Sequence, residues 1–238
     1  MGVVKLKRKI RLTTATVLCT TMLSIPLFSP VSAQVSNSKE MFALSQDQLN
    51  APINLLEDNP IPGVIIKDIT REEYVQNVAE NENITYEEAN QLVSTRTAQS
   101  LQSINNDRGT EVQASNIIWR QASWTQAYSK NPNYKATLVA SFEIYTSGSF
   151  RQINSATVGS SLAAGQYSPT WQQSNSWKTT AYPVTTATVG VTGNFYEVYN
   201  NSAGISGGLP GFNVSVSTSS SVTYVSQPMT IQREYSVY

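Results

Sequence analysis

The sequence predicts a mainly β protein: an antiparallel β-sandwich, of jelly-roll or immunoglobulin-like topology, preceded by a short α-helical hairpin. Three observations carry this. Apolar residues recur with a period of two through much of 113–238. Two capping boxes open helical stripes between residues 70 and 104. The composition also changes at this boundary, since 18 of the 22 aromatic residues, including all four Trp, lie in 113–238.

Residues 1–33 differ in kind from the rest. Lys5, Lys7, Arg8, Lys9 and Arg11 form a cationic start, Leu12 to Pro30 carries no charge, and Val31-Ser32-Ala33 is a small-x-small site. This pattern predicts a secretory signal peptide cleaved between Ala33 and Gln34. Pro26 and Pro30 interrupt the apolar run, which is shorter than the ~20 residues a membrane span needs. The leader resembles those of Gram-positive exported proteins, a likeness confined to 1–33. It implies a bacterial protein that is secreted and extracellular. Cys19, the single cysteine, lies inside the leader. A mature chain without disulfides must draw its stability from its core.

Residues 34–69 show no sustained period and are punctuated by Pro52, Pro60, Pro62 and Gly63. They predict a poorly ordered arm, with one helical turn near Met41 to Leu49. Thr70 and Glu73 then form a capping box, with Ile69 and Tyr74 placed as a hydrophobic staple. Tyr74, Val75, Val78 and Ala79 recur at helical spacing. A second box, Thr85 and Glu88, opens the stripe Ala89, Leu92, Val93. The reading is an acidic helical hairpin over 70–104, with helices near 71–80 and 86–101. Residues 34–112 hold 13 acidic and 5 basic groups, whereas 113–238 hold 3 acidic and 6 basic. Opposite signs permit docking of one part on the other, while a surface helix pair that is simply acidic is the more ordinary reading. Removal of 34–112 as a pro-segment is a further option. Glu87 and Glu88 at the start of the second helix would repel phosphate, so no nucleic-acid partner is expected.

The β-sandwich domain is assigned to 113–238. Its cleanest strand sets Ala136, Leu138, Ala140, Phe142 and Ile144 on one face and Thr137, Val139, Ser141 and Glu143 on the other. Ala187, Val189 and Val191 alternate likewise, as do Phe212, Val214 and Val216, and Val222 to Val225 continues the pattern. Met229, Ile231, Tyr235 and Val237 share a final face that Arg233 interrupts. Weaker candidates are 114–120, 150–158 and 195–199. Leu138, Phe142, Val189 and Val214 are expected in the core.

The absence of histidine excludes a Ser-His-Asp or Cys-His relay and any imidazole metal ligand. Gly204-Ile205-Ser206-Gly207-Gly208 matches the nucleophile-elbow string but lacks both a base and a following helix. No metal-ligand spacing or phosphate cradle is present, so neither a metal nor a cofactor is expected. Glu143 and Glu197, beside aromatic residues, are the acid-base candidates. A glycosidase would need them about 5–9 Å apart. Trp119, Trp124, Trp171, Trp177, Tyr196 and Tyr199 stand among amide and hydroxyl side chains, suited to stacking on sugars or anchoring a protein. The resulting expectation is a secreted non-catalytic binding protein directed at a cell-wall or other polysaccharide, or at a protein. Three alternatives accompany it. One is a β-pore-forming protein inserting the uncharged alternating segments 183–192 and 212–227, the only reading with a membrane partner. The others are a glycan-cleaving enzyme using the paired glutamates and a purely structural secreted protein.

Overall fold

The computed structural model describes residues 51–58, 61–108, 116–163, 169–200 and 207–238, all within the unit Phe42–Tyr238. The leader with its Ala33–Gln34 site, the turn expected at 41–49 and Gly204–Ser206 lie outside these residues.

The elements in chain order are β1 (Ile53–Asn54), β2 (Val64–Asp68), α1 (Arg71–Glu82), α2 (Tyr86–Arg108), β3 (Ile117–Tyr128), β4 (Asn131–Ser147), β5 (Phe150–Leu162), β6 (Thr170–Lys178), β7 (Thr186–Tyr199), β8 (Phe212–Ser217), β9 (Val222–Ser226) and β10 (Met229–Ser236). They build two sheets and a helical hairpin. One sheet is the antiparallel meander β2-β3-β4-β5; the other runs β1-β10-β7-β9-β8, with β6 also paired to β7. Tyr196 pairs with both Thr170 of β6 and Val225 of β9, while Val191 pairs with Ser176 of β6 and Ile231 of β10. β9 and β10 therefore follow one another along the side of β7 opposite β6. Only β1, against β10, pairs in parallel among the described strands.

The period-two pattern sets the core. Leu138, Phe142 and Ile144 of β4 and Val189 and Val191 of β7 are fully buried, and the inward faces of both sheets join in one apolar cluster. At about 25 cal/mol per Å² of apolar surface, this shared face is the main stabilising term for a chain without disulfides. The Arg233 guanidinium lies 3.8 Å from the Trp124 ring centroid, so the cation interrupting the last strand stacks on an aromatic face.

Three expectations change. Residues 53–54 and 64–68, assigned to a poorly ordered arm, are strands, and they bury Ile53, Leu55, Val64 and Ile66. Their brevity and flanking prolines hid the alternation. Val214, expected in the core, is 57 % exposed. β8 is an edge strand with a bulge between Val214 and Val216, and only Phe212 reaches inward, against Tyr128 and Tyr134. Residues 170–178 form β6, whose pattern was weak because Gln172 to Ser176 are all exposed.

The N-terminal strands are fastened by one buried cation. Arg120 of β3 donates from Nε to Asp68 and from Nη2 to Asp58, each at 2.7 Å, and from Nη1 to the Leu55 carbonyl at 2.6 Å. The guanidinium is buried while both carboxylates are largely exposed. Its removal strands the buried Leu55 carbonyl and unties two segments at once. Arg120→Ala is expected to lower stability by about 2–4 kcal/mol, against less than ~1 kcal/mol for Asp68→Asn, measured by urea unfolding.

Candidate functional site

The outer face of the meander is polar, because the alternation that turns Leu138 and Phe142 inward turns Ser141 and Glu143 outward. Register places Gln121 and Thr157 beside Ser141, and Trp119 and Ser155 beside Glu143. Such a face can be covered only by groups that satisfy it. The helical hairpin does this. Tyr74 Oη shares a hydrogen with Ser155 Oγ at 2.9 Å, Asn77 Nδ2 donates to Ser141 Oγ at 2.9 Å, and Asn81 Nδ2 donates to Thr157 Oγ1 at 3.3 Å. Gly159 lets the hairpin approach, since a Cβ there would strike the Asn81 amide.

The hairpin's placement starts from its caps. Thr70 and Glu73 bond reciprocally, as do Thr85 and Glu88. The two bonds from Thr85 hold the Glu88 carboxyl below its ordinary value. Asn83 ends α1 in the left-handed conformation, and the chain turns straight into the second box. Tyr74, Val75, Val78, Ala79, Ala89 and Val93 then pack together, with Trp119 against them.

Beneath α2, Glu143 is fully buried. Thr97 Oγ1 donates to it at 2.7 Å and Asn154 Nδ2 at 3.1 Å. The Trp119 indole N–H faces the same carboxyl without meeting hydrogen-bond geometry. Burial pushes the Glu143 carboxyl up, and the donated hydrogen bonds offset this only in part.

The edge strands β5 and β6 meet at a seam, where Ser160 Oγ accepts from Trp171 Nε1 at 2.8 Å and donates to Gln173 Oε1 at 2.6 Å. Along this seam, below α2, opens a cleft of about 470 Å³. α2 contributes Arg96, Gln99, Ser100 and Ser103; β5 contributes Asn154 and Ser155; Lys178, Thr179, Thr180, Tyr182 and Pro183 close the far side. The Tyr182 hydroxyl is buried and has no hydrogen-bond partner among the described residues. Burial pushes its pKa up to about 12, so it remains a donor. Lys178 Nζ donates to Glu82 Oε1 at 2.8 Å, and Arg96 Nη1 lies 3.7 Å from the same oxygen. Two cations and one carboxylate leave the rim with one net positive charge. Burial raises the Glu82 carboxyl, but Lys178 and then Arg96 outweigh it and hold the group below its ordinary value. The cleft therefore offers cations, amides and hydroxyls to a polar ligand.

The sequence candidates do not converge there. Trp124 is buried between the sheets, and Trp119 lies between hairpin and meander. Trp171 packs 4.8 Å from Phe195, and Trp177 rests where a Gly190 Cβ would be. Tyr199 meets Tyr224 edge-on at 5.6 Å, and Tyr196 is half-buried on β7. All four Trp lie on strands, two on β3 and two on β6. Glu197 accepts from Tyr134 Oη at 3.4 Å on the core side of β4, whereas Glu143 is on the opposite face. Burial raises the Glu197 carboxyl, with the Tyr134 bond opposing. The two glutamates are thus separated by a sheet. Arg96, Lys178 and Tyr182 were not singled out by sequence, and the only available signal was a pair of cations in otherwise charge-poor stretches.

The raised Glu143 pKa means that the folded state holds this proton more tightly than the unfolded chain. The stabilisation is complete below the ordinary carboxylate value and is lost as pH rises through the raised one. Glu143→Gln keeps an acceptor for Asn154 and can donate to Thr97. Urea midpoints between about pH 4 and pH 8 should show the variant more stable than wild type at the neutral end. The difference should shrink on acidification.

Comparison with protein-family models, curated proteins and solved structures finds no match.

Proposed function

We propose that this is an exported, non-catalytic binding protein that takes an acidic polysaccharide, such as a cell-wall polymer, in the cleft between α2, β5 and the β6–β7 link. The observation that carries the reading is the donor set. Arg96 and Lys178 suit a carboxylate or phosphate, and the unpartnered Tyr182 hydroxyl needs an acceptor. Gln99, Ser100, Ser103 and Asn154 match the hydroxyls of a sugar. A binding role is also supported by the separation of Glu143 from Glu197, since acid and base of a glycosidase must flank one bond. The aromatic platform expected from sequence receives little support from the scattered, half-buried rings.

Titration calorimetry against peptidoglycan and against acidic and neutral polysaccharides tests the proposal. Ser103→Trp, at an exposed position on the cleft wall, should abolish binding. Tyr182→Phe should weaken it by about 3- to 10-fold, the worth of one hydrogen bond. Undiminished binding by Ser103→Trp would move the site elsewhere.

A membrane-inserting reading draws on a different observation. No charged residue occurs from Val198 to Gln232, and Val198, Val214 and Val216 are exposed about the β8–β9 hairpin. Segment 183–192, by contrast, commits Ala187, Val189 and Val191 to the core. Dye release from phosphatidylglycerol–phosphatidylcholine vesicles, abolished by Val214→Asp, would favour insertion. The polysaccharide reading expects no release.

A further inference from the structure

A second cavity, of about 280 Å³, lies along the same seam and is lined by Asn81, Thr157, Ser176 and Trp177. Lys178 borders both cavities. Glu82, its ion-pair partner, lines the second cavity, and Arg96 of the first lies on the same carboxylate oxygen. We infer that the two cavities are subsites of one groove for a polysaccharide chain, and that Glu82 holds the place of a ligand acidic group. This rests on the polysaccharide reading above and extends it from a single unit to a polymer.

The position of Glu82 supports the inference. It is the last residue of α1, where helix carbonyls disfavour a negative charge, and the last turn contains no basic residue. The side chains of Glu82, Lys178 and Arg96 are each about 30 % exposed, so solvent reaches the pair and partly screens it. Local helix energetics therefore do not explain the carboxylate there, whereas its pairing with the two cations beside the cavities does. A uronate or phosphate entering the groove takes over Lys178 and Arg96, and Glu82 swings to solvent, out of the wall of the second cavity. The second cavity supplies the Asn81 amide and the Thr157 and Ser176 hydroxyls to the next sugar.

The test uses galacturonic-acid oligomers of one to six units, with carboxyl-reduced counterparts, titrated into the full-length exported protein and its variants. Affinity should rise by about tenfold or more from one unit to the longer oligomers. Ser176→Trp, at an exposed edge-strand position, should erase that gain while leaving single-unit affinity unchanged. Glu82→Gln should tighten the acidic oligomers several-fold and leave the reduced ones unaffected. Affinity independent of length, or a Ser176→Trp variant that keeps the gain, overturns the groove while the first cleft stands, provided Ser103→Trp still abolishes binding. An unchanged or weakened Glu82→Gln overturns the placeholder role. If no oligomer binds at any length, the acidic-polysaccharide reading falls, and the groove with it.

Discussion

The meander β2-β3-β4-β5 has two covered faces, and the chemistry of each follows from strict alternation along β4. The inward face is apolar and joins the second sheet. The outward face carries Gln121, Ser141, Glu143, Ser155 and Thr157, which cannot be buried against hydrocarbon without a large desolvation penalty. The hairpin resolves this with Tyr74, Asn77, Asn81 and Thr97, one polar partner for each of several sheet groups. Because such contacts are directional, they fix the hairpin laterally, which apolar packing alone would not. That fixed position leaves a gap along the seam, and the gap is the cleft.

Charge complementarity has a smaller share in this docking than the totals suggest. Among the described residues, three ion pairs cross that division: Arg120 with Asp58 and Asp68 ties the lead-in strands, and Lys178 with Glu82 is the one that joins the hairpin to the β part. The other pair at that oxygen, from Arg96, is internal to the hairpin. Most acidic side chains of α1 and α2, including Glu72, Glu80, Glu87 and Glu88, remain exposed. Neutral hydrogen bonds hold the interface. The one ion pair that bridges hairpin and β part borders both cavities through Lys178.

How much of this was legible depends on whether neighbours in sequence are neighbours in space. Capping boxes are local, so Thr70, Glu73, Thr85 and Glu88 could be read directly. Strand alternation in β4, β7 and β10 survives because one face meets the core and the other does not. It fails in β5, where residues 152–159 are buried on both sides, and in β6, where most of the strand is exposed on both. Val214 shows the opposite error: a clear alternation on an exposed edge strand. The cleft was illegible for a different reason. Its residues come from α2, β5 and the β6–β7 link, and only the seam between two sheets brings them together. Trp, the most conspicuous residues in the sequence, proved conspicuous for packing: Trp171 and Trp177 lie against Gly193 and Gly190, where a side chain would exclude them.

The same topology bears on whether residues 34–112 could be shed as a pro-segment. β1 pairs with β10 of one sheet and β2 with β3 of the other, so the lead-in is stitched into both layers before the hairpin begins. Ile53, Leu55, Val64 and Ile66 are core residues, and Arg120 ties Leu55, Asp58 and Asp68 to β3. A cut between α2 and β3 would leave the hairpin attached through β2. Removal of everything before residue 113 would open the core and expose the polar face under the helices, leaving Glu143 without Thr97. The hairpin is therefore better understood as one wall of the cleft than as a detachable guard. A chain that folds without disulfides gains from this arrangement, because the segment that completes the core also builds one wall of the cleft.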